Sequence, residues 1–259
     1  MKKFRLIYKY LLHLIRARNT RGYGVHSPYM FNFIRHILSE KHPYYVFRDI
    51  ERIRNRMLND ERVVRVTDFG TGKNKEKRIC DIARKALKKP EQAQLLFRII
   101  RHYDFKNILE LGTSLGISTM YMASVSTKSR CITLEGCPAL CALARQNFDK
   151  LGNKQINLIN CNIDERLENI LNEYGQLDFI FIDANHRFDA LIRYFELCVN
   201  RVGDYSMIVV DDIYWSAEME AAWNAIKKHP RVKVTIDIFH MGFVFFNPML
   251  TKKHYKVRY

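Results

Sequence analysis

The sequence predicts an α/β protein built on a doubly wound, mostly parallel sheet of seven strands. From Asn107 onward, short apolar strands alternate with stretches of helical periodicity. Strands of nearly continuous apolar character are typical of a parallel sheet that helices cover on both faces. Glycines follow the first of these strands and carboxylates follow the later ones. This pattern indicates a ligand site at the carboxyl ends of the strands.

The composition fits one large soluble domain, or a domain with an appendage. The chain has 259 residues, of which 47% are hydrophobic and 27% are charged. No apolar run approaches the roughly 18–20 residues of a transmembrane helix, and we expect no signal peptide. The six cysteines are scattered without a CxxC pair, which predicts reduced thiols, a cytoplasmic location and no zinc site.

The net charge of +16 is concentrated in the first part of the chain. Residues 1–60 carry 13 Lys and Arg against 4 Asp and Glu, and residues 61–107 carry 13 against 6. We therefore divide the chain into a basic, mainly helical N-terminal extension, 1–106, that shapes or covers a substrate pocket, and a sheet domain, 107–259. The basic surface could meet nucleic acid, anionic lipid or an acidic substrate, or could only keep the protein soluble. These alternatives stay open.

Residues 4–15 predict an amphipathic first helix. Its apolar positions recur at helical spacing and are Phe4, Ile7, Tyr8, Leu11, Leu12 and Ile15. The favoured interpretation is that this stripe packs on the main domain, and the alternative is that residues 1–21 lie on a membrane surface. Further helices are predicted over 29–38, 49–58, 79–87 and 91–103, and for the first of these Ser27 is the candidate cap and Pro28 suits the first turn.

A second glycine-containing turn, Asp68-Phe69-Gly70-Thr71-Gly72, precedes the sheet domain. We interpret it as a chance match to a nucleotide-binding turn. A highly charged run follows it, and no strand with a terminal acidic residue comes at the distance that a ribose needs. The alternative, that the lysines of the charged run face an anionic ligand, stays open.

The elements of the sheet follow from the apolar runs. The predicted strands are 107–111, 130–134, 156–160, 177–182, 206–210, 232–236 and 242–246. The predicted helices lie near 117–125, 138–150, 164–173, 187–199 and 216–227. The last two strands are too close in sequence for a helical crossover, so we expect the last strand to be antiparallel and near the edge of the sheet.

The first strand of the sheet leads into a turn that runs Glu110-Leu-Gly112-Thr-Ser-Leu-Gly116-Ile-Ser118. Its two glycines let the backbone pass close to a ligand where backbone N–H groups are available. The next strand ends in Glu135, and an acidic residue there can accept hydrogen bonds from ribose hydroxyls. The sequence therefore predicts a nucleoside-containing cofactor. The glycine spacing is not that of an NAD-binding turn, and the Walker sequence is missing.

These residues resemble the class I S-adenosylmethionine-dependent methyltransferases, and more narrowly the cation-dependent O-methyltransferases of the catechol and macrocin types. The resemblance covers about 107–247 and implies a Rossmann-like methyltransferase fold. It implies that the two glycines pass under the methionine part of S-adenosylmethionine, that Ser118 contacts its carboxylate and that Glu135 holds the ribose. Asn162 matches the adenine contact, although Cys161-Asn162 replaces the usual Gly-Asp. The cofactor residues implied are Glu110, Gly112, Gly116, Ser118, Glu135, Asn162 and Asp183.

Carboxylates at the ends of the fourth and fifth strands predict a metal site. Asp183 follows the fourth strand, and Asp211 and Asp212 follow the fifth. Three carboxylates at the ends of adjacent strands would repel one another without a cation, and oxygen ligands suit Mg²⁺, Mn²⁺ or Ca²⁺. Mg²⁺ is the favoured ion. The alternative is that one or two of these aspartates only cap the helices that follow.

His186 is the candidate general base, and Asp183 is predicted to share the catalytic site with it. His186 lies three residues after Asp183, where the catechol-type enzymes have a lysine and the macrocin type a histidine. Imidazole has a suitable pKa for accepting a proton near pH 7. The alternative is a surface or helix-capping histidine. Tyr214 and Trp215 either flank an acceptor ring or pack in the core.

The predicted function is metal-assisted methylation of a hydroxyl oxygen on a small molecule. The basic extension indicates an acidic or phosphate-bearing acceptor, and assembly into a homo-oligomer is left open. One alternative is an RNA methyltransferase, which the basic extension favours, but the fourth strand is not followed by an Asn-Pro-Pro-Tyr-like motif. The other alternative is a non-catalytic binding module of the same fold at a membrane surface.

Overall fold

A computed structural model describes residues 2–68 and 73–259. Two compact units are present: the first unit joins Met1–Glu40 to Glu168–Tyr259, and the second unit is Lys41–Leu167. Among the described residues there are ten α-helices and ten strands. The helices are α1 (Lys2–Arg16), α2 (Pro28–Asn32), α3 (Tyr45–Leu58), α4 (Ile79–Ala86), α5 (Pro90–Tyr103), α6 (Ile117–Ala123), α7 (Pro138–Leu151), α8 (Ile163–Tyr174), α9 (Phe188–Val199) and α10 (Ala217–Lys228). The strands are β1 (Val63–Asp68), β2 (Lys73–Arg78), β3 (Asn107–Leu111), β4 (Arg130–Glu135), β5 (Ile156–Asn160), β6 (Leu177–Ile182), β7 (Val202–Asp211), β8 (Val234–Asp237), β9 (Met241–Phe245) and β10 (Lys253–Lys256).

The second unit contains three parallel strands in the order β3–β4–β5. Helices α3 to α7 pack around an apolar core that includes Phe47, Phe97, Tyr121 and Phe148. Strands β3 and β4 are almost fully buried, as expected for strands covered on both faces, whereas β5 has one buried residue in five. These three strands were predicted with bounds that agree to within one residue.

The remaining strands of the second unit, β1 and β2, form an antiparallel hairpin. The sequence did not predict this hairpin, because the second strand is a charged segment with no apolar alternation. Lys75, Glu76, Lys77 and Arg78 are all exposed. Of the second glycine-containing turn, residues 69–72 lie outside the described residues, so its interpretation as a chance match stays a prediction.

The first unit contains five strands in the order β6–β7–β9–β8–β10. β6 is parallel to β7, and β9 is antiparallel to both of its neighbours, β7 and β8. The prediction of an antiparallel last strand is confirmed for β9, although this strand lies between two others rather than near the edge. The two units together thus hold eight main strands in place of the seven predicted, and the mostly parallel α/β fold class is confirmed.

The eighth main strand, β10, was missed because its sequence, Lys-His-Tyr-Lys, carries one buried side chain in four. It pairs in parallel with β8, and Tyr255 lies opposite Ile236. An edge strand covered on one side needs few apolar residues, so periodicity alone does not reveal it.

Helix α1 contradicts the favoured interpretation of its apolar stripe, which was expected to pack on the main domain. Phe4, Ile7 and Ile15 are exposed, while His13 is buried. The docked face of the helix combines polar and aromatic contacts. Arg5 and Lys9 both form ion pairs with Glu220 of α10 at 2.8 and 2.7 Å, and the Tyr10 ring packs edge-on against Phe239 with the centroids 4.9 Å apart. With this face docked, the stripe points outward.

A buried polar network in the first unit centres on Asp237, the last residue of β8. Its carboxylate accepts hydrogen bonds from the Tyr214 hydroxyl at 2.6 Å and from the Phe239 N–H at 2.9 Å. Lys256 Nζ lies 3.6 Å from the same carboxylate, and His13 Nδ1 lies 3.4 Å from it. The network therefore joins α1, β8, β10 and the loop after β7.

The start of α2 is as predicted, since the N–H of Met30 donates to Ser27 Oγ at 3.4 Å and Pro28 occupies the first turn. No helix within the described ranges is both long and apolar enough to pass through a membrane.

The compact units divide at Glu40 and at Leu167. The division by role at 106/107, into a substrate-covering extension and a cofactor-binding domain, stays a prediction.

Candidate active site

The turn between β3 and α6 adopts a backbone that requires glycine at defined points. Gly112, Ser114 and Gly116 all have positive φ, at 99°, 50° and 84°. A Cβ on Gly116 would lie 2.4 Å from Cε1 of Phe148, closer than real Cβ contacts permit. At Gly116 the glycine is therefore needed both for its φ and for the close approach of α7.

Glu135, at the end of β4, is tied to this turn by backbone hydrogen bonds. One carboxylate oxygen accepts from the Ser114 N–H at 2.8 Å, and the other accepts from the Cys137 N–H at 2.9 Å. Burial raises the pKa of the Glu135 carboxyl, while these N–H groups act in the opposite direction. Each oxygen retains a lone pair that could accept a ribose hydroxyl.

Glu110 lies at the centre of a cluster of hydroxyl groups. Its carboxylate is fully buried and accepts hydrogen bonds from Ser118 at 2.5 Å, from Thr119 and from Thr133 at 2.6 Å. The structure thus brings the predicted residues Glu110 and Ser118 together. Sequence reasoning missed Thr119 and Thr133, although the parallel register that places Thr133 opposite Glu110 follows from aligning the two strands.

Asn162 caps helix α8. Its amide donates to the Glu165 carboxylate at 2.7 Å, and its carbonyl oxygen accepts from the Asp164 N–H at 3.1 Å. Both polar atoms of the side chain therefore have local partners, the pattern of a helix N-cap. The predicted adenine contact is not tested by this geometry and stays a prediction.

The second set of predicted residues lies in the first unit, at the carboxyl ends of β6 and β7. Asp183, His186 and Asp211 each place one donor atom within 4.8 Å of the others. Asp211 is the last residue of β7 and is buried, whereas Asp183 and His186 are half-buried in the segment between β6 and α9. The two strand ends thus position three donors of the kinds that bind metal ions.

Asp212 faces His186. Oδ2 of Asp212 lies 3.4 Å from His186 Nε2, and Oδ1 of Asp183 lies 3.5 Å from the same nitrogen. Asp212 has a φ of +50°, and its N–H donates to the His240 carbonyl at 2.7 Å. The geometric cluster contains Asp183, His186 and Asp211, and Asp212 lies beside it at His186. The metal role predicted for Asp212 stays a prediction.

The carboxylates hold a proton on His186. Burial by itself lowers the pKa of the imidazole, but the hydrogen bond to Asp212 and the charges of Asp183, Asp212 and Asp211 outweigh it and raise the pKa to about 9. With only protein groups present, His186 is therefore protonated at neutral pH. A protonated imidazole cannot accept the proton of a substrate, so use of His186 as a base requires another positive charge beside the carboxylates.

The residues present fit a divalent cation. Metal–oxygen bonds of about 2.0–2.4 Å place neighbouring ligand atoms roughly 3–4.5 Å apart, which the mutual distances of the Asp183, His186 and Asp211 donors allow. The two carboxylates suit Mg²⁺ or Mn²⁺, whereas an imidazole ligand is more typical of Zn²⁺ or iron. The excess of negative charge that raises the His186 pKa is also what a cation would neutralise.

The two aromatic residues after Asp212 have different surroundings. Tyr214 is buried in the Asp237 network, so its place is in the core. The side chain of Trp215 is 57% exposed. Of the pair, only Trp215 keeps a free ring face within the described part of the chain, and its role beside an acceptor stays a prediction.

Solved structures of methyltransferases share this fold. An O-methyltransferase from Bacillus cereus in complex with SAH superposes with a TM-score of 0.57 and 20% identity, covering 80% of this chain and 93% of that one. TomG from Streptomyces achromogenes, an O-methyltransferase involved in tomaymycin synthesis and in complex with SAM, gives a TM-score of 0.54 and 17% identity, covering 62% and 81%. The fold is thus the Rossmann-like fold of S-adenosylmethionine-dependent O-methyltransferases.

The family assignment rests on the sequence. The model of the O-methyltransferase family matches residues 76–249, which is more than half of the chain, and the chain belongs to this family. The match begins at residue 76, whereas the resemblance read from the sequence was expected to begin at about residue 107. A catechol O-methyltransferase from Niastella koreensis is 34% identical over 127 residues, which make up 48% of this chain and 57% of that protein. The alignment therefore spans little more than half the length of that relative.

Proposed function

We propose that the chain transfers the methyl group of S-adenosylmethionine to a hydroxyl oxygen of a small molecule. The observation that carries this proposal is the turn after β3, where Gly112 and Gly116 have positive φ and Glu135 is fixed beside the turn by the Ser114 N–H. The glycines would pass under the methionine part and Glu135 would accept from the ribose hydroxyls. Membership of the O-methyltransferase family supports the same reaction.

We further infer that Asp183 and Asp211 hold a divalent cation, with Mg²⁺ as the favoured ion. A cation bound there would lower the pKa of an acceptor hydroxyl. The third protein donor is His186 or Asp212, which lie 3.4 Å apart. The cluster geometry favours His186 as the donor, whereas the sequence prediction assigns the donor role to Asp212 and leaves His186 as the base.

As the base, His186 would take the proton of the acceptor hydroxyl at Nδ1, because its Nε2 faces the carboxylates of Asp183 and Asp212, which hold the ring in place. This role requires that the imidazole pKa falls from about 9 toward neutrality. A cation that neutralises the charges of Asp183 and Asp211 would remove part of the electrostatic effect that raises the pKa of His186. The sulfonium of the cofactor is already activated, so the protein mainly supplies alignment and deprotonation.

Three observations bear on the chemical class of the acceptor. The relative named as a catechol O-methyltransferase supports a phenolic hydroxyl. The exposed ring of Trp215, three residues after Asp212, could stack on an aromatic acceptor. The basic extension supports an acceptor that carries a carboxylate or phosphate.

The proposal is tested with purified protein, labelled S-adenosylmethionine and a panel of acceptors that includes catechols, phenolic acids and total RNA. We expect transfer to a phenolic acceptor that EDTA abolishes and Mg²⁺ restores. Binding of S-adenosylmethionine, measured by calorimetry, should survive EDTA. Transfer that persists after thorough chelation would remove the metal role, transfer to RNA alone would support the RNA alternative, and no cofactor binding would support a non-catalytic module.

The His186→Ala variant separates the two roles of the imidazole. If His186 is the base, the rate of transfer falls by about 10²–10⁴-fold while the affinity for Mn²⁺, followed by electron paramagnetic resonance, is unchanged. If His186 is a ligand, the Mn²⁺ affinity falls as well. Full activity in this variant would contradict both assignments.

A further inference from the structure

Helix α1 displays an apolar stripe to solvent. Phe4, Ile7, Tyr8, Leu11 and Ile15 recur at helical spacing on one face, and each is between 54% and 79% exposed. We call these five residues the α1 stripe. A helix of 15 residues is about 22 Å long, so the stripe is a continuous apolar strip of that length. A contiguous exposed strip of this kind marks an interaction surface rather than chance exposure of single residues.

The helix that carries the stripe is fixed to the first unit by its other face. Besides the ion pairs of Arg5 and Lys9 with Glu220, His13 Nε2 lies 3.0 Å from the Val257 carbonyl oxygen. The buried ring of His13 also contacts Phe239 edge-on, with the ring centroids 5.6 Å apart. The stripe is therefore exposed while α1 remains packed on the first unit, and the helix does not need to detach.

The charged residues of the segment that carries the stripe are all basic, and two of them, Arg5 and Lys9, are paired with Glu220 of α10. The basic residues before position 40 are Lys2, Lys3, Arg5, Lys9, Arg16, Arg18, Arg21 and Arg35, and the first acidic residue is Glu40. Arg16, Arg18 and Arg21, which follow the stripe, are exposed. Apolar side chains flanked by exposed cations match the chemistry of an anionic phospholipid surface, whose acyl boundary and headgroups meet the two kinds of group.

We propose that the first unit binds peripherally to anionic phospholipid bilayers through the α1 stripe, with α1 lying in the plane of the interface. The stripe enters the acyl boundary, and Arg16, Arg18 and Arg21 contact the headgroups. A second copy of the chain is a poorer occupant, because a two-fold interface would bring the same basic segment against itself. The proposal is independent of methyl transfer, since it uses none of the residues assigned to cofactor, metal or base.

The test is a flotation assay with the full-length protein and vesicles of phosphatidylcholine, with and without about 30% phosphatidylserine. We expect the protein to float with the phosphatidylserine vesicles and to stay at the bottom with pure phosphatidylcholine. The double variant Ile7→Ser/Ile15→Ser should weaken binding by about 100-fold, because each of the two apolar side chains that no longer enters the membrane removes about tenfold. Raising the salt should weaken binding of the wild-type protein.

The matched control is Tyr205→Ser/Met249→Ser, which removes two exposed apolar side chains of the first unit outside the stripe. It should float like the wild type. Thermal melts check that both double variants fold, which we expect because all four side chains are exposed. Equal flotation of the stripe variant and the wild type would overturn the proposal, as would absence of binding to anionic vesicles. A wild-type dimer in light scattering that the stripe variant turns into a monomer would assign the stripe to a second copy instead.

Discussion

Glu110 illustrates how single residues build the turn after β3. A carboxylate buried without partners would be costly, but three hydroxyls donate to this one. Ser118 and Thr119 come from the first turn of α6 and Thr133 from the neighbouring strand β4. The cluster therefore fixes the start of α6 against two strands, and it stabilises the backbone on which Gly112 and Gly116 depend.

The substitution Gly116→Ala tests the close approach at this turn, and Gly152→Ala is its matched control. Both glycines have positive φ, at 84° and 76°, but a Cβ on Gly152 would meet nothing within 4 Å. We expect Gly152→Ala to cost about 1 kcal/mol of unfolding free energy through backbone strain alone. Gly116→Ala should cost about 2–4 kcal/mol, because Phe148 must also move.

Thermal unfolding and S-adenosylmethionine titration of the two glycine variants provide the measurement. The Gly116→Ala protein should melt several degrees below the Gly152→Ala protein and bind the cofactor more weakly. Equal melting temperatures would show that the Phe148 ring adapts without cost.

For single residues, the sequence allowed the site residues to be predicted but not the side chains that they contact. Strand ends can be located from apolar runs, so Glu135, Asp183 and Asp211 were predicted. The positive φ of Asp212, +50°, was not predicted from the sequence, because most aspartates do not adopt it. The contact of Thr133 with Glu110 depends on the register of β3 and β4, and that of Thr119 depends on where the first turn of α6 packs.

At the scale of elements, the Asp237 network connects parts that are distant in sequence. Tyr214 from the loop after β7 and Lys256 from β10 approach the carboxylate at the end of β8. Lys256 Nζ also donates to the Tyr214 hydroxyl at 3.0 Å. Burial and the charge of Asp237 raise the pKa of the Tyr214 hydroxyl, so it remains a hydrogen-bond donor throughout the neutral range.

The Tyr214→Phe variant removes one hydroxyl from this network. We expect a loss of about 1–2 kcal/mol of unfolding free energy, or roughly 2–8 °C in melting temperature, because Asp237 and Lys256 each lose a buried partner. The control is Tyr205→Phe, at an exposed tyrosine of β7, which should change the melting temperature by less than about 1 °C. Identical melting curves for the two variants would mean that the hydroxyl contributes nothing to stability.

Elements differed in how far the sequence could specify them. Buried parallel strands such as β3 and β6 were predicted to the residue, since a short, continuous apolar run between turn residues is typical of a strand covered on both faces. Strand β10 was missed because it is mostly polar, and α1 was placed the wrong way round. Amphipathic periodicity gives the faces of a helix but not the neighbour that each face meets, and here Glu220 and Asp237 pair with the polar face.

At the scale of the whole molecule, the stability of the cation-free protein should depend on the charge of His186. The pKa of His186 is about 9 in the folded protein and about 6.5 in the unfolded chain. Because the folded state binds this proton more tightly, the stabilisation is fully present below about pH 6.5 and is lost as the pH rises through 9. The pKa difference corresponds to a stabilisation on the order of 1–3 kcal/mol, after allowance for solvent screening of the partly exposed side chain.

Melting temperatures measured in EDTA between pH 6 and 9.5 check this dependence. The wild type should lose stability over that range, and His186→Gln should lose markedly less. Excess Mg²⁺ should flatten the wild-type curve, because a cation beside Asp183 and Asp211 competes with the proton. Parallel curves for the two proteins would contradict the assignment of the raised pKa.

The discontinuity of the first unit has a consequence for how the chain is made. Lys41–Leu167 is contiguous in the sequence, so the residues that form the second unit are synthesised in one stretch. Met1–Glu40 must wait for Glu168–Tyr259, and the carbonyl that approaches His13 belongs to Val257. Until Glu220 and Val257 are synthesised, α1 therefore has neither of them to dock on. Until those residues emerge, α1 is an undocked, basic and apolar segment that chaperones and membranes can reach.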